Sequence, residues 1–143
     1  MSGFDHFNVL GPVYDYIFGR STDENMVEIA AVQRDHSLLD VGGGTGRVAV
    51  LFQEITDQVV IADSAIKMLR EAQIKALRTV NGSSEHLPLK TGTFDRVIMV
   101  DALHHVKDQK KTLEEIWRVL APGGRMVIEE PDINNFLVKL VAF

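Results

Sequence analysis

Two hydrophobic rhythms alternate along this chain. Near-continuous apolar runs fall at 37–42, 58–63, 96–100 and 126–129, each short and without polar alternation. Such runs predict strands covered on both faces. A shorter segment at 79–82 adds a third strand in chain order. Between the strands the period lengthens. Ala65, Met68, Leu69, Ala72 and Ala76 recur at i, i+3, i+4, i+7 and i+11, the stripe of an amphipathic helix. Leu113, Ile116, Trp117 and Leu120 draw a second stripe, which stops before Pro122. Residues 45–54 predict the helix that follows the first strand. Upstream, Ser21 and Glu24 have the spacing of a capping box, opening a helix with Met26, Ile29, Ala30 and Gln33 along one side. Residues 8–19 form a short aromatic-rich segment, and the tail 134–143 reads as an apolar helix.

Strands that alternate with helices through short connections imply a parallel, doubly wound α/β sheet. A ligand then binds beyond the carboxyl ends of the strands, at the switch between the first and the fourth. No repeat or low-complexity linker divides residues 1–143, which predict a single domain.

The candidate chemistry gathers at those strand ends. Leu38 to Gly46 reads Leu-Leu-Asp-Val-Gly-Gly-Gly-Thr-Gly, a buried strand running into a glycine loop. Gly42, Gly44 and Gly46 let the backbone turn sharply and approach a ligand, and a helix opening there would present free N–H groups. Asp40 stands just before the loop. Asp63 ends the second strand 21 residues beyond Gly42. An acid about 20 residues past such a loop holds ribose hydroxyls in dinucleotide-binding folds, so the pair implies an adenosine-type ligand. The plainer alternative for Asp63 is a helix N-cap.

Five segments, 38–48, 59–69, 82–89, 94–106 and 120–130, resemble in order the motifs of class I S-adenosylmethionine-dependent methyltransferases, above all the ubiquinone and menaquinone biosynthesis branch. The glycines follow G-x-G-x-G, with Arg47 where a dehydrogenase fingerprint carries its last glycine. Asp63-Ser64-Ala65-Ile66-Lys67-Met68-Leu69 is similar to D-x-S-x-x-M-L. Ser84-Glu85-His86-Leu87-Pro88-Leu89 with Phe94-Asp95, Ala102-Leu103-His104-His105-Val106, and Leu120-Ala121-Pro122-Gly123-Gly124-Arg125 complete the set.

The resemblance implies a Rossmann-like sheet in strand order 3-2-1-4-5, an N-terminal cap segment at 1–20 over a core at 21–143, and S-adenosylmethionine as cofactor. It implies the loop Gly42, Gly43, Gly44, Thr45 and Gly46 at the methionine half. Asp40 would face its ammonium group or pair with loop N–H groups. Asp63 would hold the ribose, with Ser64 beside it and Met68 either against adenine or in the core. Ser83, Ser84 and Glu85 would edge the adenine, where the family often carries Gly-Asp-Ala before the Glu. Asp101 and Ala102 would lie near the transferred methyl, and Tyr14 in a segment folded over the cofactor. The segment through His105 would continue the floor near that methyl. His104 and His105, read as extended, would point opposite ways and so not share a metal ion, which leaves a general base or a packing and backbone-positioning role for them. No metal site and no catalytic residue is assigned. Methyl transfer to a small-molecule acceptor is the implied activity, with cofactor binding without turnover and an NAD-dependent oxidoreductase as the alternatives. Strand four ends in Asp-Ala-Leu-His, which excludes the Asn-Pro-Pro-Tyr loop of amino-methyltransferases acting on DNA bases or protein glutamine. Glu129, Glu130 and Asp132 crowd the mouth after strand five.

Composition narrows the partners. Hydrophobic residues make up 45% and charged residues 24% of the 143, enough for a real core. A net charge of −5 without a basic run argues against nucleic acid. The absence of cysteine excludes disulfides, thiolate metal sites and a thiol nucleophile. No secretory pattern opens the chain and no apolar run approaches the ~20 residues of a membrane span, so a cytoplasmic protein is the expectation. The family sheet has seven strands, and this chain stops soon after the fifth. An exposed fifth strand is a liability, which predicts a homodimer or swapping through that strand or the C-terminal helix.

Overall fold

A computed structural model describes residues 14–19, 23–131 and 137–142, with side chains from Asn25 to Glu130. The strands are β1 (Tyr14–Gly19), β2 (Leu38–Val41), β3 (Val59–Asp63), β4 (Arg78–Asn81), β5 (Phe94–Val100), β6 (Leu120–Pro131) and β7 (Leu137–Ala142). The helices are α1 (Asp23–Ala30), α2 (Ile66–Ile74) and α3 (Gln109–Val119), with 3-10 turns at Ala49–Phe52 and Leu103–His105. They form one sheet in the order β1-β7-β6-β5-β2-β3-β4. Its parallel part, β4-β3-β2-β5-β6, is the anticipated 3-2-1-4-5 order.

The apolar runs are buried on both faces because successive residues point to opposite sides. Leu39, Val97, Met99, Met126 and Ile128 pack on α3 through Leu113, Ile116 and Val119. Leu38, Ile98 and Val127 pack the other way, with Met26 and Ala30 of α1, Phe52, and Leu69 and Ala72 of α2. The helix ends are closed from a distance. Arg96 donates to the carbonyls of Ala30 (2.8 Å) and Ala31 (3.3 Å), and Arg125 to that of Ile29 (2.7 Å). Two cations brought by β5 and β6 thus satisfy the C-terminal carbonyls of a helix with no base in its last turn. That helix ends at Ala30, so Gln33 lies beyond it, and Ser21 with the Glu24 side chain lies outside the described residues.

Three expectations are corrected. Residues 45–54 form turns and the single 3-10 turn Ala49–Phe52, not an α-helix. Gly44 and Gly46 hold φ of +56° and +84°, so right-handed helix cannot begin before Arg47, and β-branched Val48 and Val50 follow. The apolar tail is strand β7, antiparallel to β6 from Met126↔Ala142 to Pro131↔Leu137. An unpaired β6 edge offers a row of backbone hydrogen bonds, and that demand overrides the local helical reading of a valine-containing segment. Residues 14–19 then pair antiparallel with β7 as β1, so they are a strand of the sheet rather than a cap segment. The described sheet therefore has seven strands, and β6 is not an open edge.

Candidate functional site

The glycine loop leaves β2 with Gly42 at φ +70° and Gly44 at φ +56°. A Cβ on Gly42 would lie 2.8 Å from that of Ala102, and one on Gly43 2.6 Å from the Asp40 carboxylate. One on Gly44 would meet Met68 Sδ at 3.2 Å. Gly46 has a different task. A Cβ there would overlap Leu77 and press on Ile61, so this glycine lets β3 and the 3-10 turn close-pack and lines neither cavity.

A cavity of about 680 Å³ opens above the strand ends. Of the residues named from the sequence, Gly42, Gly44, Asp63, Ser64, Met68, Ser83, Ser84, Glu85, Asp101 and Ala102 line it, together with Ala62, Gly82, Met99, His105, Val106 and Lys107. Asp63 Oδ2 accepts the Gly44 N–H at 2.9 Å and Oδ1 the Ala65 N–H at 2.8 Å. The carboxylate therefore holds the loop and closes a tight turn ahead of α2, whose N-cap Ala65 has no side-chain cap, and each oxygen keeps a lone pair for a ligand hydroxyl. Met68 is half exposed at the cavity and not in the core. Ser83 Oγ accepts the Glu85 N–H at 3.1 Å, Ser84 bonds Thr112 at 3.2 Å, and Glu85 Oε1 accepts the Asp108 N–H at 3.0 Å.

That wall is fastened by residues the sequence reading did not single out. Glu115 Oε2 accepts the Leu87 N–H at 2.8 Å, and Arg118 donates to the carbonyls of Leu87 (2.9 Å) and Leu89 (2.8 Å). Arg118 also pairs with Glu115 at 2.8 Å. The bond from Arg118 holds the buried Glu115 carboxyl below its ordinary value, against the opposing effect of burial and with help from the Leu87 N–H. Their i, i+3 spacing on α3 was the available signal.

Asp40 does not line the large cavity. With Gly43, Thr45 and Arg47 it lines a second, of about 240 Å³, which shares Gly42 and Asp101 with the first. Asp40 is only 2% exposed. Burial pushes its carboxyl up to about 7, the Asp63 charge adds to the rise, and Arg47 opposes it. Asp101 sits where the cavities meet with φ +52°, a conformation that side chains other than glycine adopt at a cost, and its N–H bonds the Glu129 carbonyl at 2.9 Å.

The two histidines are not in extended chain. They occupy the 3-10 turn Leu103–His105, with ring centroids 3.9 Å apart at 44°. Opposite pointing thus gives way to contact, because tight turning replaces the alternation of a strand. Tyr14 is on β1 opposite Ala142, at the outer edge of the sheet and away from β2 by three intervening strands. Its backbone is committed to β7, which removes it from a segment folded over the loop.

The profile of the methyltransferase domain family matches residues 39–128, from β2 through β6. The chain belongs to that family. S-adenosylmethionine is the cofactor of such methyltransferases. Among relatives, the methyltransferase is 35% identical to the ubiquinone/menaquinone biosynthesis C-methyltransferase UbiE of Haemophilus ducreyi over 73% of this chain and 44% of that protein. It is 31% identical to the Escherichia coli protein of the same name over 87% of this chain and 54% of the relative. It thus spans about half the length of these relatives. Among solved structures, the YcgJ protein of Bacillus subtilis superposes with a TM-score of 0.73 at 28% identity, covering 76% of this chain and 49% of that one. A methyltransferase of Aquifex aeolicus dependent on S-adenosylmethionine superposes with a TM-score of 0.73 over 85% of this chain and 89% of its own, at 17% identity, which speaks for the fold alone. Among the described residues no helix is long and apolar enough to cross a membrane.

Proposed function

We propose that this domain binds S-adenosylmethionine and transfers its methyl group to a small-molecule acceptor, a ring carbon of a hydroquinone. The observation that carries the reading is the buried Asp40, set in a small cavity beside the glycine loop with its carboxyl already strained toward protonation. A buried acid of this kind is stabilised by a cation brought in with a ligand. The donor set suits the rest of the cofactor. Asp63 offers paired carboxylate lone pairs for a ribose diol, Met68 a soft apolar face for adenine, and Gly42 and Gly44 leave space that any Cβ would fill. When bound, the cofactor supplies an electrophilic methyl carbon whose bonding pair departs with the sulfur. The chain's task is then alignment and exclusion of water. The choice of carbon follows the names of the UbiE relatives, C-methyltransferases of ubiquinone and menaquinone biosynthesis, and the hydroquinone is the acceptor class inferred from that quinone chemistry.

Titration calorimetry tests the first half: saturable binding of S-adenosylmethionine but not NADH, abolished by Asp63→Ala. Binding of NADH alone would reverse the assignment. Mass spectrometry of a hydroquinone incubated with the domain and deuterated-methyl cofactor tests the second half.

A further inference from the structure

Three groups meet where the turn after β5 touches the end of β6. Glu130, at the end of β6, accepts the Leu103 N–H on Oε1 at 2.7 Å and the His104 N–H on Oε2 at 3.3 Å. The same Oε2 pairs with His104 Nδ1 at 2.6 Å. An ionised carboxylate only accepts, so the hydrogen of this pair resides on Nδ1 and the tautomer of His104 is set. The His104 ring in turn lies 3.9 Å from that of His105. Only His105 of the two lines the large cavity, beside Asp101, Val106 and Lys107. Its ring has no hydrogen-bond partner among the described residues, so a nitrogen is available to a ligand.

We propose that His105 is the catalytic base that takes the proton from an aromatic hydroxyl of the acceptor, with His104 and Glu130 as its positioning residues. The assignment rests on the hydroquinone reading above. In this step the acceptor O–H bond breaks and leaves its pair on oxygen, while a new N–H bond forms on the His105 imidazole. The oxyanion, facing the Lys107 cation, feeds electron density into the ring carbon that is to be methylated; once the methyl is bonded there, that carbon releases its hydrogen as a proton to water and the ring regains its aromaticity. His105 is exposed, so its imidazolium hands the proton on to water at the cavity mouth. An imidazole matches a phenolic hydroxyl better than the carboxylates of the same cavity do. Val106 supplies an apolar surface for the ring.

The test uses the whole chain loaded with S-adenosylhomocysteine, and anaerobic 1,4-naphthohydroquinone as probe. Calorimetry of wild type should give saturable binding. His105→Phe, which keeps a ring against His104, should weaken it about 10-fold while S-adenosylmethionine affinity stays within about twofold. With S-adenosylmethionine in place of S-adenosylhomocysteine, methyl transfer to the probe should fall by about 100-fold in His105→Phe and in His105→Ala, and added imidazole should restore part of the rate to His105→Ala alone. Glu130→Gln should slow transfer about 10-fold without altering cofactor affinity. Unchanged probe affinity and rate in His105→Phe would overturn the proposal, as would failure of the loaded wild type to bind the probe. Failure to bind S-adenosylmethionine itself would overturn the cofactor reading as well, so the two failures are told apart.

Discussion

Replacing Asp40 by asparagine should strengthen the empty fold and weaken the loaded one. The carboxyl is pushed from its ordinary 3.8 to about 7, chiefly by burial. An acid raised in the folded state binds its proton more tightly there than in the unfolded chain. Stability therefore falls as pH rises between those two values, by about 1.4 kcal/mol per pH unit, and the cost is complete above about 7. The full cost is about 4 kcal/mol for a group this buried. Asparagine keeps the shape without the charge. Its amide needs a partner of its own, at about 1–2 kcal/mol, so a net gain of about 2–3 kcal/mol is expected at pH 8 and no gain at pH 4. Urea unfolding of both proteins across that pH range measures it, and other titrating groups cancel in the difference. Cofactor binding should move the opposite way, weakening about 100-fold, since a charge-assisted hydrogen bond is worth about 1.5–3 kcal/mol. A stability difference independent of pH, or one that favours the aspartate at pH 8, would refute the reasoning.

Three further outcomes follow from the same geometry. Glu115→Ala should cost about 2 kcal/mol at neutral pH, measured by denaturant unfolding, because Leu87 and Arg118 lose their partner. Since Glu115 titrates below its ordinary 4.5 when folded, its contribution is whole above that value and is lost as pH falls through the folded one, so the variant's deficit should shrink in acid. Gly42→Ala and Gly92→Ala both place a side chain at positive φ, +70° and +68°, but only the first meets an obstacle, Ala102 at 2.8 Å. Gly92→Ala should cost about 1 kcal/mol, and Gly42→Ala more than that together with most cofactor affinity, read by thermal unfolding and calorimetry. Ser83→Asp keeps an acceptor for the Glu85 N–H and adds a charge at the adenine wall, so S-adenosylmethionine should bind about 3- to 10-fold more tightly; no gain in calorimetry would count against adenine lying there.

Local pattern carried the centre of this molecule. Strands β2, β3, β5 and β6 are legible because burial on both faces demands unbroken apolar runs, and an apolar run is visible in one stretch of chain. Asp63 and the glycines were legible for a related reason: loop and acid both fall at strand ends in a parallel sheet, whose spacing along the chain is nearly constant. The α2 stripe was readable too, although it hid a division, with Leu69 and Ala72 in the core and Met68 at the cavity.

Tertiary structure decided everything that depends on a partner far along the chain. The tail became β7 because the β6 edge needed hydrogen bonds, and residues 14–19 became β1 because β7 then needed them. No helical or strand period in either segment contains that demand. The loop helix failed because Gly44 and Gly46 hold positive φ, with the Gly44 N–H committed to Asp63 and no room for a Cβ on Gly46 beside Leu77. Asp40 was visible as a residue, but its separation into a second cavity and its raised carboxyl come from burial assembled by β3, β5 and the loop together. The joining of Glu130 to His104 across 26 residues is of the same kind. Sequence period records which face is buried; which groups then meet, and in what charge state, is a property of the packed sheet alone.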